Sequence, residues 1–404
     1  MRRVVVTGLG IVSSIGNNAQ EVLASLREAR SGISAAESYS ELGFRCRVHG
    51  APSLNPSETI DRRKMRFLAD GSGWAYIAAE QAIQDSGLEA GMISHERTGL
   101  VVGTGGPSTR AIVSAADTTR NRSAKQVGPF AVPKAMCSMA SATLSTYLGI
   151  KGINYSISSA CATSNNCIGH GYEQIGWGRQ DVMIAGGAEE LDWTLSVLFD
   201  GMNAMSSNFN DTPSRSSRAF DVDRDGFVIA GGAGILVLEE YEHAKARGAQ
   251  MYAEIIGYGS TSDGDDMVLL SGDGARRCMR QALETVKEPI DYINPHATST
   301  PIGDVREIAA IRDVFGAKVP AISATKSLTG HSLGAAGAHE AIYSMLMMNN
   351  GFICESAHID KIDPEIDDMP IVRARQDNVE LTTVMSNAFG FGGTNAALVF
   401  SKIN

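Results

Sequence analysis

A single cysteine stands where a reactive thiol is expected. Cys161 lies in the run INYSISSACATSNNCIGHGYEQIG. The residues before it predict a strand, and Ile168, Tyr172 and Ile175 after it fall on one helical face. Cys161 would then lie at a helix N-terminus, where unpaired N–H groups and the helix dipole favour the nucleophilic thiolate. Small residues beside it leave room for a bulky acyl group: Ser158, Ser159, Ala160 and Ala162. The alternative is a buried, inert cysteine.

Two histidines occur in motifs that follow short predicted strands. His296 lies in INPHATSTPIGD, and His331 opens a small-residue helix in ATKSLTGHSLGAAGAHEA. Either histidine alone could be structural. With Lys326 and Glu307 as polar support, they place a thiol and two imidazoles at the ends of separate strands, which is how many α/β active sites assemble. We therefore predict nucleophilic catalysis by Cys161.

A glycine-rich turn near the C-terminus could supply hydrogen-bond donors. The run MSNAFGFGGTNAALVF contains Gly390, Gly392 and Gly393, which allow a tight turn around Phe391. A tetrahedral intermediate on a thioester needs two donors for its oxyanion, and backbone N–H groups often serve. The predicted donors are the amides of Cys161 and Phe391.

The elements that must position these residues form two similar series. Strand-like apolar runs alternate with helical stretches, the pattern of a layered α/β protein. The predicted strands lie in RRVVVTG and at 99–103, 155–158 and 181–187, then in MYAEIIGYG, at 291–294 and 321–323, and in LTTVMS and AALVF. Because the two series agree in order, we predict a duplicated α/β half with a boundary near residues 245–252. Residues 1–250 then hold the cysteine, and residues 251–404 hold both histidines.

Composition excludes several functional classes. The 404 residues carry a net charge of −10, so no broad basic face is available for nucleic acid. One local exception, IDRRKMRF, is by default a solvated helix face. The six cysteines include no CxxC pair, which argues against a zinc site or a disulfide framework. Without a signal-peptide core or an apolar run of about 18 residues, we expect a cytoplasmic protein that does not bind membranes.

Three other motifs imitate known sites. GHSLG matches a nucleophile elbow with Ser332 as the nucleophile of a hydrolase, but SLTG separates it from the preceding strand. TGLGIVSS has Ser13 where a dinucleotide-binding loop has its third glycine. DVDRDGFVIAGG begins like a calcium loop but has Gly232 in place of the bidentate glutamate, so we predict a structural turn.

Four motifs together resemble those of the β-ketoacyl-acyl-carrier-protein synthases. SSACATS, HATSTPIGD, KSLTGHSLGAAG and NAFGFGGTN occur in that family's order and spacing along the whole chain. The length and the phrase DGFVIAGGAG are most similar to the type I members of bacterial dissociated fatty acid synthesis. The resemblance implies a thiolase-like αβαβα fold and a homodimer. Type II synthases and polyketide ketosynthases share these residues and stay open. Thiolases and type III synthases place other residues at His331, and non-catalytic relatives lack the cysteine.

The resemblance also implies a mechanism. Cys161 would accept the acyl chain from acyl-carrier protein, and malonyl-carrier protein would lose carbon dioxide. His296 and His331 would stabilise the resulting enolate, which then attacks the thioester. Lys326 would organise the histidines, with Glu307 as its charge partner. No metal or redox cofactor is expected, because decarboxylation itself generates the nucleophile and the carrier protein brings the phosphopantetheine.

Further residues match the family's binding positions. The resemblance implies contacts to the pantetheine arm from Thr298 and Thr300, and an acyl pocket at Gly105, Leu195 and Phe199. It also implies a basic docking surface for the acidic carrier protein, formed by Arg62, Arg63, Arg66, Arg122 and Lys125, in place of a merely solvated helix face. One departure is Ala297, where many relatives have glycine, so its methyl group is expected to narrow the pantetheine tunnel.

Overall fold

The apolar runs of the sequence form strands that are buried along most of their length. A computed structural model describes residues 1–403. The strands are β1 (Val4–Val12), β2 (Ser34–Ala35), β3 (Val48–His49), β4 (Thr98–Thr104), β5 (Asn154–Tyr155), β6 (Val182–Glu189), β7 (Gly232–Glu240), β8 (Ala253–Ser262), β9 (Tyr292–Asn294), β10 (Ala321–Ile322), β11 (Phe352–Ile353), β12 (Gln376–Asp377), β13 (Thr383–Gly390) and β14 (Thr394–Ser401).

Helices connect these strands and cover both faces of the main sheet. They are α1 (Ala19–Arg27), α2 (Glu37–Glu41), α3 (Pro56–Thr59), α4 (Arg62–Met65), α5 (Asp70–Ser86), α6 (Ala90–Ile93), α7 (Thr109–Asn121), α8 (Ala131–Ala135), α9 (Met139–Leu148), α10 (Thr163–Gly176), α11 (Trp193–Gly201), α12 (Tyr241–Ala246), α13 (Asp273–Leu283), α14 (Pro301–Phe315), α15 (Lys326–Thr329) and α16 (Ala336–Asn350). None of them has the length and apolar content that a membrane crossing requires.

The main sheet repeats one strand arrangement on both sides of its centre. Its ten strands run in the order β10-β9-β13-β14-β8-β1-β7-β6-β4-β5, with β1 and β8 antiparallel in the middle. Outward from β1, the next two pairings are antiparallel and the last two are parallel. The same series runs outward from β8. The predicted duplication is thus confirmed. The predicted boundary near residues 245–252 covers the end of α12 and the stretch before β8.

The helices complete a layered arrangement. Helices α10 and α16 contact each other and strands from both halves, so they form a shared central layer. On the outside, α5 and α9 pack on the first half, and α13 and α14 pack on the second. Nearly every residue of α16 is buried, which explains why most of its residues are small or apolar. This is the αβαβα fold expected from the sequence.

The chemistry-bearing residues lie just beyond the ends of these elements. Cys161 precedes α10, and His296 follows β9. Lys326 begins α15, and His331 follows its end. Phe391 lies in the turn between β13 and β14. The predicted strand at 155–158 shortens to Asn154–Tyr155, so an irregular stretch leads into the cysteine.

Candidate active site

The thiol of Cys161 lies at the bottom of a cleft and touches an imidazole. Its Sγ is 3.0 Å from His331 Nε2, and the residue is only 9% exposed. The N–H groups of Phe391 and of Cys161 itself also face the sulfur. Ala160 just before it has φ +49°, a left-handed conformation that is costly for a residue with a Cβ atom. The backbone is therefore turned tightly to present this sulfur.

The ionisation of the thiol differs from the expectation based on the helix terminus. Burial raises the pKa of Cys161 to about 12. The positive charge of Lys326 and the two backbone N–H groups lower this pKa, but by less than burial raises it. The predicted preference for the thiolate is therefore wrong for the free site, because burial favours the neutral thiol more strongly.

The two histidines form a pair of neutral imidazoles beside the sulfur. Their ring centroids are 5.2 Å apart, with the rings nearly perpendicular. Burial and the nearby charge of Lys326 hold the pKa of both His296 and His331 well below the ordinary value. Each ring can therefore donate an N–H hydrogen bond without carrying a charge.

Glu307 holds the backbone at the first histidine. Its Oε1 accepts a hydrogen bond from His296 N at 2.8 Å, and its Oε2 accepts one from Ala297 N at 2.7 Å. Burial raises the pKa of Glu307 to about 7. Ala297 has φ +22°, on the left-handed side that favours glycine. The carboxylate thus fixes the unusual turn that aims His296 into the cleft.

The charge partner of Lys326 is not the predicted Glu307. Lys326 Nζ lies 2.6 Å from Glu340 Oε1, and both side chains are buried. Glu340 comes from the central helix α16, and its pKa is raised by burial to about 7. The sequence contained a signal for this partner, because a carboxylate in a helix of mostly apolar residues needs a buried partner.

The cysteine and both histidines also have the composition of a metal site. One ligand atom from each lies within 4.8 Å of the other two. A thiolate and two imidazoles suit zinc by type. The expectation that the enzyme needs no metal therefore stays a prediction.

A cavity of about 470 Å³ leads to Cys161. Phe199, Thr298 and Thr300 line it. Their roles in the acyl pocket and in binding the pantetheine arm stay predictions. Leu195 lies behind this lining, in the apolar cluster that contains Cys161.

Gly105 is not among the lining residues, contrary to the expectation that it belongs to the acyl pocket. Its N–H donates to the buried Glu189 Oε2 at 2.8 Å, and a Cβ atom added there would collide with that carboxylate. It is therefore a packing glycine behind the site.

The predicted docking residues lie on the surface in two segments. Arg62, Arg63, Arg66, Arg122 and Lys125 are all exposed. The ring of Phe67 meets that of Phe130 edge to face, with centroids 5.0 Å apart, and so connects the two parts of the chain. The two segments that carry the five cations are thus neighbours.

The rival nucleophile Ser332 is buried away from the cavity. Its Oγ hydrogen-bonds His339 Nδ1 at 3.0 Å, and the other ring nitrogen of His339 bonds the carbonyl of Val12. Neither side chain lines the cavity that holds Cys161. The pair is a structural contact within the core, as the missing strand before GHSLG indicates.

Comparisons with known proteins agree along the whole chain. A family model described as the beta-ketoacyl synthase N-terminal domain matches residues 1–244, and the corresponding C-terminal domain matches residues 252–360. The chain is 56% identical over 405 residues to 3-oxoacyl-[acyl-carrier-protein] synthase 1 of Haemophilus influenzae and 57% identical to that of Escherichia coli, with full coverage of both proteins.

A solved structure supports the fold. The crystal structure of a beta-ketoacyl synthase from Burkholderia phymatum superposes with a TM-score of 0.94 at 35% identity, again over the full length of both chains. A ketosynthase solved in complex with its type II polyketide acyl-carrier protein gives a TM-score of 0.88 at 28% identity, over all of both chains.

Proposed function

Because this chain belongs to the β-ketoacyl synthase family, we propose that it condenses an acyl-acyl-carrier protein with malonyl-acyl-carrier protein during fatty acid elongation. The products are a 3-oxoacyl-carrier protein and carbon dioxide. The single observation that supports this chemistry best is the contact of 3.0 Å between Cys161 Sγ and His331 Nε2, with His296 beside them.

Acyl transfer to Cys161 is the first half of the reaction. The sulfur attacks the thioester carbonyl of the acyl-carrier protein, and the bond between that carbonyl and the carrier sulfur breaks. The thiol proton leaves with the carrier sulfur as its new thiol. The N–H groups of Phe391 and Cys161, which face the sulfur, would stabilise the tetrahedral oxyanion.

Decarboxylation is the second half. The malonyl thioester oxygen accepts hydrogen bonds from His296 and His331, and the bond to the carboxylate breaks as carbon dioxide leaves. The electron pair forms an enolate whose carbon attacks the acyl group on Cys161. The C–S bond to the cysteine breaks, and the leaving thiolate takes up a proton from solvent to restore the neutral thiol. Neutral imidazoles suit this step, because they stabilise the enolate without holding the malonyl carboxylate in an ion pair.

The proposed reaction needs no metal or redox cofactor. Loss of carbon dioxide supplies the electron pair, so neither a strong base nor an electron carrier takes part. The prosthetic group of the reaction, phosphopantetheine, arrives on the substrate. Thr298 and Thr300 would hydrogen-bond its amides within the cavity.

The partners follow from the same reaction. We infer that Arg62, Arg63, Arg66, Arg122 and Lys125 receive an acidic acyl-carrier protein, since they are exposed cations on neighbouring segments. We also propose a homodimer, as the resemblance implies, and that it acts in the cytoplasm. Among the alternatives, we favour the type I assignment. The chain is 56–57% identical to the two synthase 1 proteins but only 38% identical to a synthase 2 from Vibrio cholerae.

An elongation assay tests the proposed function. Purified protein is incubated with malonyl-carrier protein and with acyl-carrier proteins of several lengths, and the products are analysed by mass spectrometry. We expect a product two carbons longer and an acyl adduct on Cys161. Cys161→Ala should lower elongation by about a thousandfold or more.

Matched variants separate the two half-reactions. Cys137→Ala removes an exposed cysteine and should elongate normally. His296→Ala should still form the acyl adduct but lose decarboxylation. Full elongation by Cys161→Ala, with no adduct on the wild-type cysteine, would overturn the mechanism.

A further inference from the structure

One permanent positive charge faces the cavity that holds Cys161. Arg306 lies on α14 and is the only lysine or arginine among the described residues that line the cavity. The other basic groups there, His296 and His331, are neutral because burial lowers the pKa of each well below its ordinary value. The cavity therefore carries a single fixed cation.

The guanidinium of Arg306 is only partly engaged by the protein. Its Nη1 donates to the carbonyl of Leu270 at 2.6 Å, which leaves the other nitrogens without a hydrogen bond within residues 1–403. The charge of Arg306 contributes to the lowered pKa of Asp266, but the two side chains do not pair. The carboxylate of Asp266 accepts hydrogen bonds from Val268 N and Leu269 N. Arg306 forms no ion pair in the described part of the chain, so its donors are available to a ligand.

Arg306 lies at the open end of the cavity. Leu269 and Ile302 line the same cavity and are 44% and 52% exposed, whereas Cys161 at the closed end is 9% exposed. The hydrogen bond to Leu270 holds the guanidinium beside this exposed rim. A substrate thioester seated at Cys161 would therefore leave the far end of its arm near Arg306.

We propose that Arg306 binds the phosphate of the phosphopantetheine arm, an inference that rests on the proposed function. The arm has its thioester at one end and its phosphodiester at the other, so the phosphate reaches the rim when the thioester reaches the sulfur. A guanidinium offers paired N–H donors that match phosphate oxygens. Arg306 would thus select substrates by the charge on their arm, separately from the carrier-protein surface.

The test compares two small thioesters of the same acyl chain, acyl-phosphopantetheine and acyl-pantetheine, which differ only in the phosphate. The rate of acylation of Cys161 is measured by mass spectrometry for each. The wild type should prefer the phosphorylated thioester by about tenfold, the usual size of one charge-assisted hydrogen bond. In Arg306→Gln this ratio should fall to about one, and Arg306→Lys should keep part of it.

A matched control lies on the same helix. Arg312 pairs with Asp368 on the surface, outside the cavity, so Arg312→Gln should keep the wild-type ratio. If Arg306 only braced Leu270, Arg306→Gln would slow both thioesters alike and leave the ratio at its wild-type value, which would overturn the inference. A wild-type ratio of one would also overturn it. If Cys161 is acylated neither by these thioesters nor by acyl-carrier protein, the proposed function fails and the inference fails with it.

Discussion

The positive charge of Lys326 influences the pKa of every reacting side chain. It lowers the pKa of Cys161, of His296 and of His331, in each case after the larger effect of burial. Its own charge is balanced by Glu340 at 2.6 Å. Lys326 thus keeps both imidazoles neutral, because its positive charge disfavours a second positive charge on either histidine. It does this without touching the substrate.

Replacing this buried pair by neutral residues should raise both histidine pKa values. The Lys326→Met, Glu340→Gln double variant removes the positive charge of Lys326. Protonation of His296 and His331 then becomes easier and occurs at higher pH. We expect the acid limb of malonyl decarboxylation to move up in pH by about one unit or more. Histidine NMR titrations and pH–rate profiles measure this shift.

The double variant avoids leaving a buried carboxylate alone, which by itself would cost several kcal/mol. Lys64→Met, which changes a lysine outside the cavity, serves as the control and should leave the profile unchanged. Histidine titrations identical to those of the wild type would contradict the assigned role of Lys326.

At the scale of elements, the close crossing of two central helices determines where the site assembles. Helix α10 begins beside Cys161, and α16 carries Glu340. They cross where Gly337 meets Asn165, a contact that only a residue without a side chain permits. The close crossing of these helices therefore requires small residues. It also sets the distance between Cys161 and the pair formed by Lys326 and Glu340.

Gly337→Ala should destabilise the protein by about 1–3 kcal/mol. The new Cβ atom would lie 2.8 Å from Asn165 Cγ and 3.1 Å from its backbone N, so α16 must shift away from α10. Denaturant unfolding measures the change. Gly91→Ala in α6 is the matched control, since nothing lies within 4 Å of its Cβ atom, and it should be neutral or stabilising by about 0.5–1 kcal/mol. Equal stability of the two variants would refute this packing account.

At the scale of the molecule, the surface formed by α7, α8 and α11 exposes many apolar side chains and packs little against the rest of the chain. Helix α7 has no buried residue over its whole length, nor has α8. Both lie in a continuous group with α11, and exposed apolar side chains from this group include Ile112, Val132, Val197 and Leu198. A helix without a buried face gains little stability from packing. A second copy of the chain would cover this surface, which supports the proposed homodimer.

Leu198→Asp should weaken the dimer. Leu198 is 60% exposed in the single chain, and a carboxylate buried there in the dimer would be unpaired. We expect the dissociation constant to rise by at least about tenfold, as measured by sedimentation velocity over a range of concentrations. Val222→Asp, at an exposed residue whose segment pairs with Ile362 and not with α7, α8 or α11, should stay dimeric. A wild type that sediments as a monomer would contradict the proposal.

The sequence by itself determined the fold, the family resemblance and the identity of the thiol and the two histidines. These depend on local patterns: apolar runs that alternate with helices, and four motifs in which neighbouring residues act together. Only the tertiary structure decided that Lys326 pairs with Glu340, that Gly105 packs behind the site, and that burial keeps Cys161 as a neutral thiol. Those properties arise from desolvation and from contacts between segments far apart in the chain. A local sequence pattern contains no information about either.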